Sequence, residues 1–284
     1  MKFKLFILLF TVSLISYDSL SLAQPLPVER LSIAEGLSNP RVHKVYQDSY
    51  GLLWITTFDG LNLYDGYSFK IFKNIPGNSN SIQNNFVHWV TEDADKNIWV
   101  GTRGGVSRFV RGKNEFVNYD FKSMSGSTND NAGDAFQILV DSKNNVWAST
   151  RSFGALLFNR ETNSWERQSY LLDDSVQSNV SGNLTLYIIE DSNHILWLSS
   201  MRLGLLLYDE VNRVFKEAEF APGNNLPDFS KTNDAITSMY GDLSGTLWIT
   251  TRSGVYKYYP KTKKLKLLKN MTRNCLFYGH IGTK

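Results

Sequence analysis

Apolar and β-branched residues come in short runs with turn residues between them every 8–12 positions, the pattern of antiparallel strands joined by tight turns. The stretch from Ala235 to Leu268 shows the unit. Ala235–Tyr240, Thr246–Thr251, Val255–Tyr258 and Leu265–Leu268 read as strands. Asp242-Leu243-Ser244-Gly245, Arg252-Ser253-Gly254 and Pro260-Lys261-Thr262 read as the turns between them. The first hairpin recurs at Asp48–Trp54, Asp93–Trp99, Asp141–Trp147, Asp191–Trp197 and Asp242–Trp248, with Trp-to-Trp steps of 45, 48, 50 and 51 residues. Repetition at that period decides the architecture before any other signal.

Each Trp has apolar neighbours on both sides instead of strict alternation, as at Leu53-Trp54-Ile55 and Ile98-Trp99-Val100. A strand reads that way when both faces of its sheet are covered. Sheets stacked around an axis meet the condition, so the prediction is an all-β chain, a β-propeller of four-stranded antiparallel blades. Five blades are expected, at about 39–73, 84–120, 134–170, 183–220 and 233–269, with an extra outer strand at Val28–Ile33. A solenoid of stacked hairpins would show shorter repeats. Asp48, Asp93, Asp141, Asp191 and Asp242 are expected to fix their turns by accepting backbone N–H groups. Gly51, Lys96, Asn144, His194 and Gly245, three places on, fill a slot for positive φ. Trp54, Trp99, Trp147, Trp197 and Trp248 are expected as wedges between sheets. So are the aligned rings Tyr64, Phe109, Phe158, Tyr208 and Tyr258, since an aromatic ring buries about 150–250 Å².

Charge changes this picture little. A net +3 gives no basic field for nucleic acid. Lys2 and Lys4, the apolar run Leu5–Ile15 and the small residues Ser21-Leu22-Ala23 make residues 1–23 a cleavable export signal. A periplasmic location is therefore expected, where the single Cys275 forms no internal disulfide.

The composite D-x-x-G-x-L-W-I-x-T-x-x-G-L-x-x-Y-D-G-x-x-F, clearest at Asp48–Phe69, resembles the two-component regulator propeller repeat, and Glu29–Ser38 is similar to the entry of that family. The resemblance implies the extracytoplasmic sensor of a bacterial signalling receptor, with a transmembrane helix and a histidine kinase or diguanylate cyclase further on. Five copies plus an unpaired first strand suggest an incomplete ring and a piece of a longer, inner-membrane-anchored sensor; a five-bladed ring is the alternative. The tail 271–284 breaks the repeat.

Four residues after each Trp stand Phe58, Arg103, Arg151, Met201 and Arg252, with Arg202 one place further in its repeat. Guanidinium groups there would ring a channel mouth and fork onto carboxylates, sulfates or phosphates. Arg103, Arg151, Arg252 and Arg202, with Asp59, are the candidate ligand-binding residues, for a small anionic or saccharide molecule. The competing account is a solvated turn arginine covering a ring or pairing with an Asp. His43 and His88 occupy equivalent strand positions but lack a third metal ligand, so no metal or cofactor is expected. No nucleophile elbow or acid pair stands out, so a non-enzymatic sensor is expected. The alternatives are an exported polysaccharide lyase or hydrolase and a protein-interaction scaffold; a homodimer fits the sensor reading.

Overall fold

The Asp-to-Trp hairpin closes the same way five times, and the fold is built by repeating it. Asp48 Oδ1 accepts Tyr50 N at 2.9 Å and Leu52 N at 3.0 Å, while Oδ2 accepts the Trp54 indole N–H at 2.7 Å. The indole bond recurs at Asp93–Trp99, Asp141–Trp147, Asp191–Trp197 and Asp242–Trp248, at 2.7 to 2.9 Å. One carboxylate thus satisfies the turn backbone and the indole, a group that would otherwise be buried without a partner. The slot three residues on takes φ of +82° at Gly51, +67° at Lys96, +62° at Asn144 and His194, and +78° at Gly245.

The computed structural model describes residues 28–125, 131–172, 175–177, 184–223 and 235–270. The first sheet holds β1 (Val42–Gln47), β2 (Leu53–Thr57), β3 (Gly60–Tyr64) and β4 (Phe69–Phe72). The second holds β5 (Val87–Glu92), β6 (Ile98–Thr102), β7 (Gly105–Val110) and β8 (Glu115–Asp120). The third holds β9 (Ala135–Val140), β10 (Val146–Thr150), β11 (Ala155–Asn159) and β12 (Ser164–Arg167). After β13 (Ser169–Leu172) and β14 (Ser175–Gln177) comes the fourth, β15 (Thr185–Glu190), β16 (Leu196–Ser200), β17 (Gly204–Asp209) and β18 (Val214–Glu217). The fifth is β19 (Ile236–Gly241), β20 (Leu247–Thr251), β21 (Gly254–Tyr259) and β22 (Lys264–Asn270). Each is an antiparallel meander in chain order. The first strands pack in series, β1 on β5, β5 on β9, β9 on β15 and β15 on β19, so the sheets follow one another as propeller blades.

Between sheets the tryptophans act as wedges. Trp54 meets Phe109 of the next sheet at 5.6 Å, Trp99 meets Phe158 at 4.7 Å, Trp147 meets Tyr208 at 4.9 Å and Trp197 meets Tyr258 at 5.6 Å.

Two elements differ from the sequence reading. Val28–Ser32 is not a strand, and Ile33–Glu35 is a 3-10 turn. Ser32 Oγ accepts Ala34 N at 3.2 Å and Glu35 Oε2 accepts Ser32 N at 2.7 Å, a reciprocal cap that turns the chain here. The third blade, expected to run to about 170, ends at β12, and the chain beyond it supplies β13, which adds in parallel to the open edge of β18, with β14 paired beyond it. Tyr170 anchors β13, stacked on Phe215 at 5.8 Å, while its hydroxyl accepts Ala155 N at 2.8 Å. A Cβ on Gly154 would stand 2.0 Å from that hydroxyl, so the third sheet's second turn needs its glycine. The predicted leader 1–23 and tail 271–284 lie outside the described residues.

Candidate functional site

The second turns and first strands of three neighbouring sheets meet in one cluster, and the backbone explains why. In sheets one to three the residue after the β2, β6 or β10 strand donates its N–H to the chain just before the first strand. Phe58 bonds Arg41 O at 3.3 Å, Arg103 bonds Phe86 O at 3.0 Å, and Arg151 bonds Asp134 O at 3.0 Å. Immediately beyond, the first strands bulge, with register breaks at Val42/Lys44, at Val87/Trp89 and opposite Ser149/Thr150. A bulge re-aims the extra side chain. Here those side chains are His43, His88 and Phe136.

The rings collect. His43 stacks on Phe58 at 4.5 Å and lies 5.4 Å from Phe86 and 5.7 Å from His88. Phe58 meets Phe86 edge-on at 4.4 Å, and His88 meets Phe136 at 5.2 Å. Guanidinium groups cap this layer: Arg41 over Phe58 at 5.3 Å, Arg103 over Phe86 at 4.4 Å and Arg151 over Phe136 at 5.0 Å. Arg41 and His43 are exposed, whereas Phe58 and Phe86 are half-buried.

Electrostatics divides the cluster. Arg151 donates through Nε and Nη2 to Asp134 Oδ2, both at 3.2 Å, so its charge already has a partner. Burial pushes the Asp134 carboxyl up, with Arg151 opposing, and its Oδ1 has no hydrogen-bond partner. Burial drives the His88 pKa down to about 3, helped by repulsion from His43, Arg103 and Arg151, so the imidazole is neutral. Its Nε2 is 3.9 Å from Asp134 Oδ2, too far for a hydrogen bond, and is unpartnered. Arg103 Nε is also buried without a partner.

Among the sequence-nominated residues, Arg103 and Arg151 therefore come together. Asp59 is engaged elsewhere, accepting from Lys73 Nζ at 2.6 Å and Asn85 Nδ2 at 3.2 Å. Arg202 and Arg252 are exposed in the second turns of the fourth and fifth sheets, whereas the cluster is built from the first three. Sequence reading missed Arg41, Phe86, Phe136 and Asp134. They occupy two fixed offsets, seven and five residues before the turn Asp, where the histidines were noticed only as an isolated pair. Among the described residues no group of three or more His, Cys, Asp or Glu is placed to hold a metal.

Sheet, wedge and carboxylate-fixed hairpin together define a repeat β-propeller. Residues 36–59 and 81–104, the first hairpins of sheets one and two, match the Two component regulator propeller family. A histidine kinase P4 of Formosa agariphila is 50% identical over 48 residues, which cover 17% of this chain and 4% of that protein. The extracellular domain of a hybrid two component system from B. thetaiotaomicron superposes with a TM-score of 0.65 at 23% identity, over 84% of this chain and 31% of that one. The chain thus spans about a third of that domain's length. Virginiamycin B lyase from Staphylococcus aureus gives a TM-score of 0.58 at 11% identity, over 81% of this chain and 70% of the lyase. At such identities the likeness is one of fold, which does not carry chemistry with it. No helix among the described residues is long and apolar enough to cross a membrane.

Proposed function

We propose that this chain is the periplasmic sensory propeller of a bacterial signalling receptor, and that the cluster on sheets one to three reads a small anionic sugar. The match of residues 36–59 and 81–104 to the Two component regulator propeller family supports the sensor role. The observation that carries the ligand class is Arg103, whose guanidinium lies on the Phe86 face and has no ion pair with a carboxylate among the described residues. A carboxylate would supply the missing acceptor, and the exposed faces around His43 and Phe58 would take an apolar sugar face. Binding there ties three sheets together, which is the change the rest of a receptor would transmit.

Calorimetry with galacturonate and glucuronate, against glucose as the neutral control, tests this. Uronates are expected to bind and glucose to bind at least about tenfold more weakly. Arg103→Ala should lower uronate affinity by about 10- to 100-fold, the worth of a charge-assisted hydrogen bond. Uronate binding that ignores Arg103→Ala, or no uronate binding at all, would overturn the assignment.

An exported propeller enzyme is the competing reading, favoured by the lyase-like fold and by His88 next to Asp134. A general base works best with a pKa near the operating pH. His88, held at about 3, is far too weak a base at neutrality, so binding is the better account.

A further inference from the structure

The first two junctions between sheets are closed by an arginine; at the third its place is taken by an acid, and at the fourth by Pro260. At the first junction Arg111 Nη2 donates to Asp48 Oδ2 of the preceding sheet at 2.7 Å and to Glu92 Oε1 at 3.1 Å. Glu92 also accepts Ser49 N at 2.8 Å and Ser49 Oγ at 3.0 Å. At the second junction Arg160 reaches Asp93 Oδ2 at 3.5 Å, Asp95 Oδ2 at 2.9 Å and Asn144 O at 3.0 Å. Asp48 and Asp93, under these clamps, are only 3% and 2% exposed.

The third junction repeats the first. Asp141, Ser142 and Glu190 stand where Asp48, Ser49 and Glu92 do, and Glu190 accepts Ser142 N at 2.8 Å and Ser142 Oγ at 2.6 Å. The turn that supplies the clamp has the same frame too. Its fourth residue takes φ of +54° at Asn114, +50° at Asn163 and +55° at Arg213. Yet its first residue, Arg111 and Arg160 in the other two, is here Glu210. Glu210 turns outward to Lys143 Nζ at 2.5 Å. Besides Ser142, Glu190 has His194 Nδ1 beside it at 3.3 Å, and among the described residues no arginine bonds Asp141, which is no longer buried. What remains between the two sheets is a cavity of about 700 Å³ lined by Asp141, Trp147, Glu190, Tyr208, Glu210 and Arg213.

The same pair of carboxylates that shares one guanidinium at the first junction thus faces open space at the third. We propose that this cavity binds a small guanidinium compound, of which L-arginine is the type, with its guanidinium where Arg111 and Arg160 sit in their junctions. The Asp141 and Glu190 oxygens accept its forked N–H groups. The volume lies within the usual range for small-molecule sites and exceeds what a guanidinium alone would fill. Arg213, on the lip in a backbone conformation that both earlier sheets give to Asn, offers a cation to the ligand's carboxylate. This site is built on sheets three and four and does not depend on the Arg103 cluster.

Calorimetry with L-arginine, agmatine and citrulline decides it. Arginine and agmatine are expected to bind, and citrulline, of the same shape with a neutral urea, at least tenfold more weakly. Glu210→Arg rebuilds the clamp of the first two junctions, so it should abolish arginine binding while raising the melting temperature. Should that variant not fold, Glu190→Gln, which leaves the Asp141–Trp147 hairpin intact, should weaken arginine at least fivefold. Citrulline binding as well as arginine, no binding of either, or arginine binding untouched by the substitutions would overturn the proposal.

Discussion

His88 stays neutral in the folded protein at pH values where a free histidine is charged, and that has a measurable cost. Its pKa falls from 6.5 to about 3 through burial first, then through His43, Arg103 and Arg151. Between those values the unfolded chain binds a proton that the folded chain does not, so stability is full above 6.5 and declines as pH drops towards 3. Asp134 acts oppositely. Burial raises its pKa, so the folded state holds the extra proton and stability declines as pH rises through the raised value. Just under 6.5 all four histidines of the unfolded chain take up protons, and a variant that lacks only His88 isolates its share. Urea unfolding at pH 7.5 and 5.5 should show the wild type losing about 1.4 kcal/mol more than His88→Phe on acidification. An equal loss in both would mean that His88 is protonated in the folded state.

At the scale of the element, the Asp–Trp hairpin is tied to its neighbour through Arg111. The Asp48 side chain is fully buried and Glu92 is 6% exposed, whereas Arg111 is 21% exposed. Burial alone would raise the Asp48 pKa, but hydrogen bonds from Arg111, Trp54 and Leu52 N outweigh it and bring the value down. Arg111→Ala leaves two carboxylates with no cation; discounted for the arginine's exposure, it should cost about 2–3 kcal/mol at pH 7. A depressed carboxylate pKa contributes stability above the unfolded value and loses it as pH falls, so the gap to wild type should narrow below about pH 4. Urea midpoints at pH 7 and 3.5 check both statements. The hairpin was legible in the sequence because its determinants lie within seven residues: a turn carboxylate, a positive-φ slot and an apolar run. Arg111 was not, since it meets Asp48 across 63 residues, a distance no local pattern spans. The same holds for the site. Arg103 and Arg151 were marked by their offset from Trp, but bulges brought His43, His88 and Phe136 to them, and Asp134 answered Arg151 from across the turn. Val28–Ile33 misled because its place just before the first repeat suited an outer strand, while a local Ser32–Glu35 cap determined the path of its end.

Across the whole molecule, stability should be a series of nearest-neighbour junctions, as in other stacked repeats. Four of the five hairpin tryptophans, Trp54, Trp99, Trp147 and Trp197, are at most 2% exposed and covered by a ring from the following sheet. Trp248 is only partly buried, and above its ring lies the aliphatic stem and ammonium of Lys257 from its own sheet, at 3.9 Å. The opposite end shows the matching deficit. Val90, Ile138, Ile188 and Met239 are at most 4% exposed, whereas Val45, at the same place in β1, is 51% exposed. Among the described residues the fifth and first sheets therefore each lack a neighbour on one face, and the energy of a wedge depends on where in the series it sits. Trp99→Ala removes a fully enclosed indole and should cost about 3–5 kcal/mol, with a large fall in the urea midpoint. Trp248→Ala removes the same group from a half-covered face and should cost about half as much, since the indole already keeps part of its contact with water. Both substitutions also free a turn carboxylate, so that common loss cancels in the comparison and the difference reports the less covered face. Equal losses at the two sites would require the Trp248 face to be covered in solution, and the expected inequality would then disappear only above the concentration at which that cover forms.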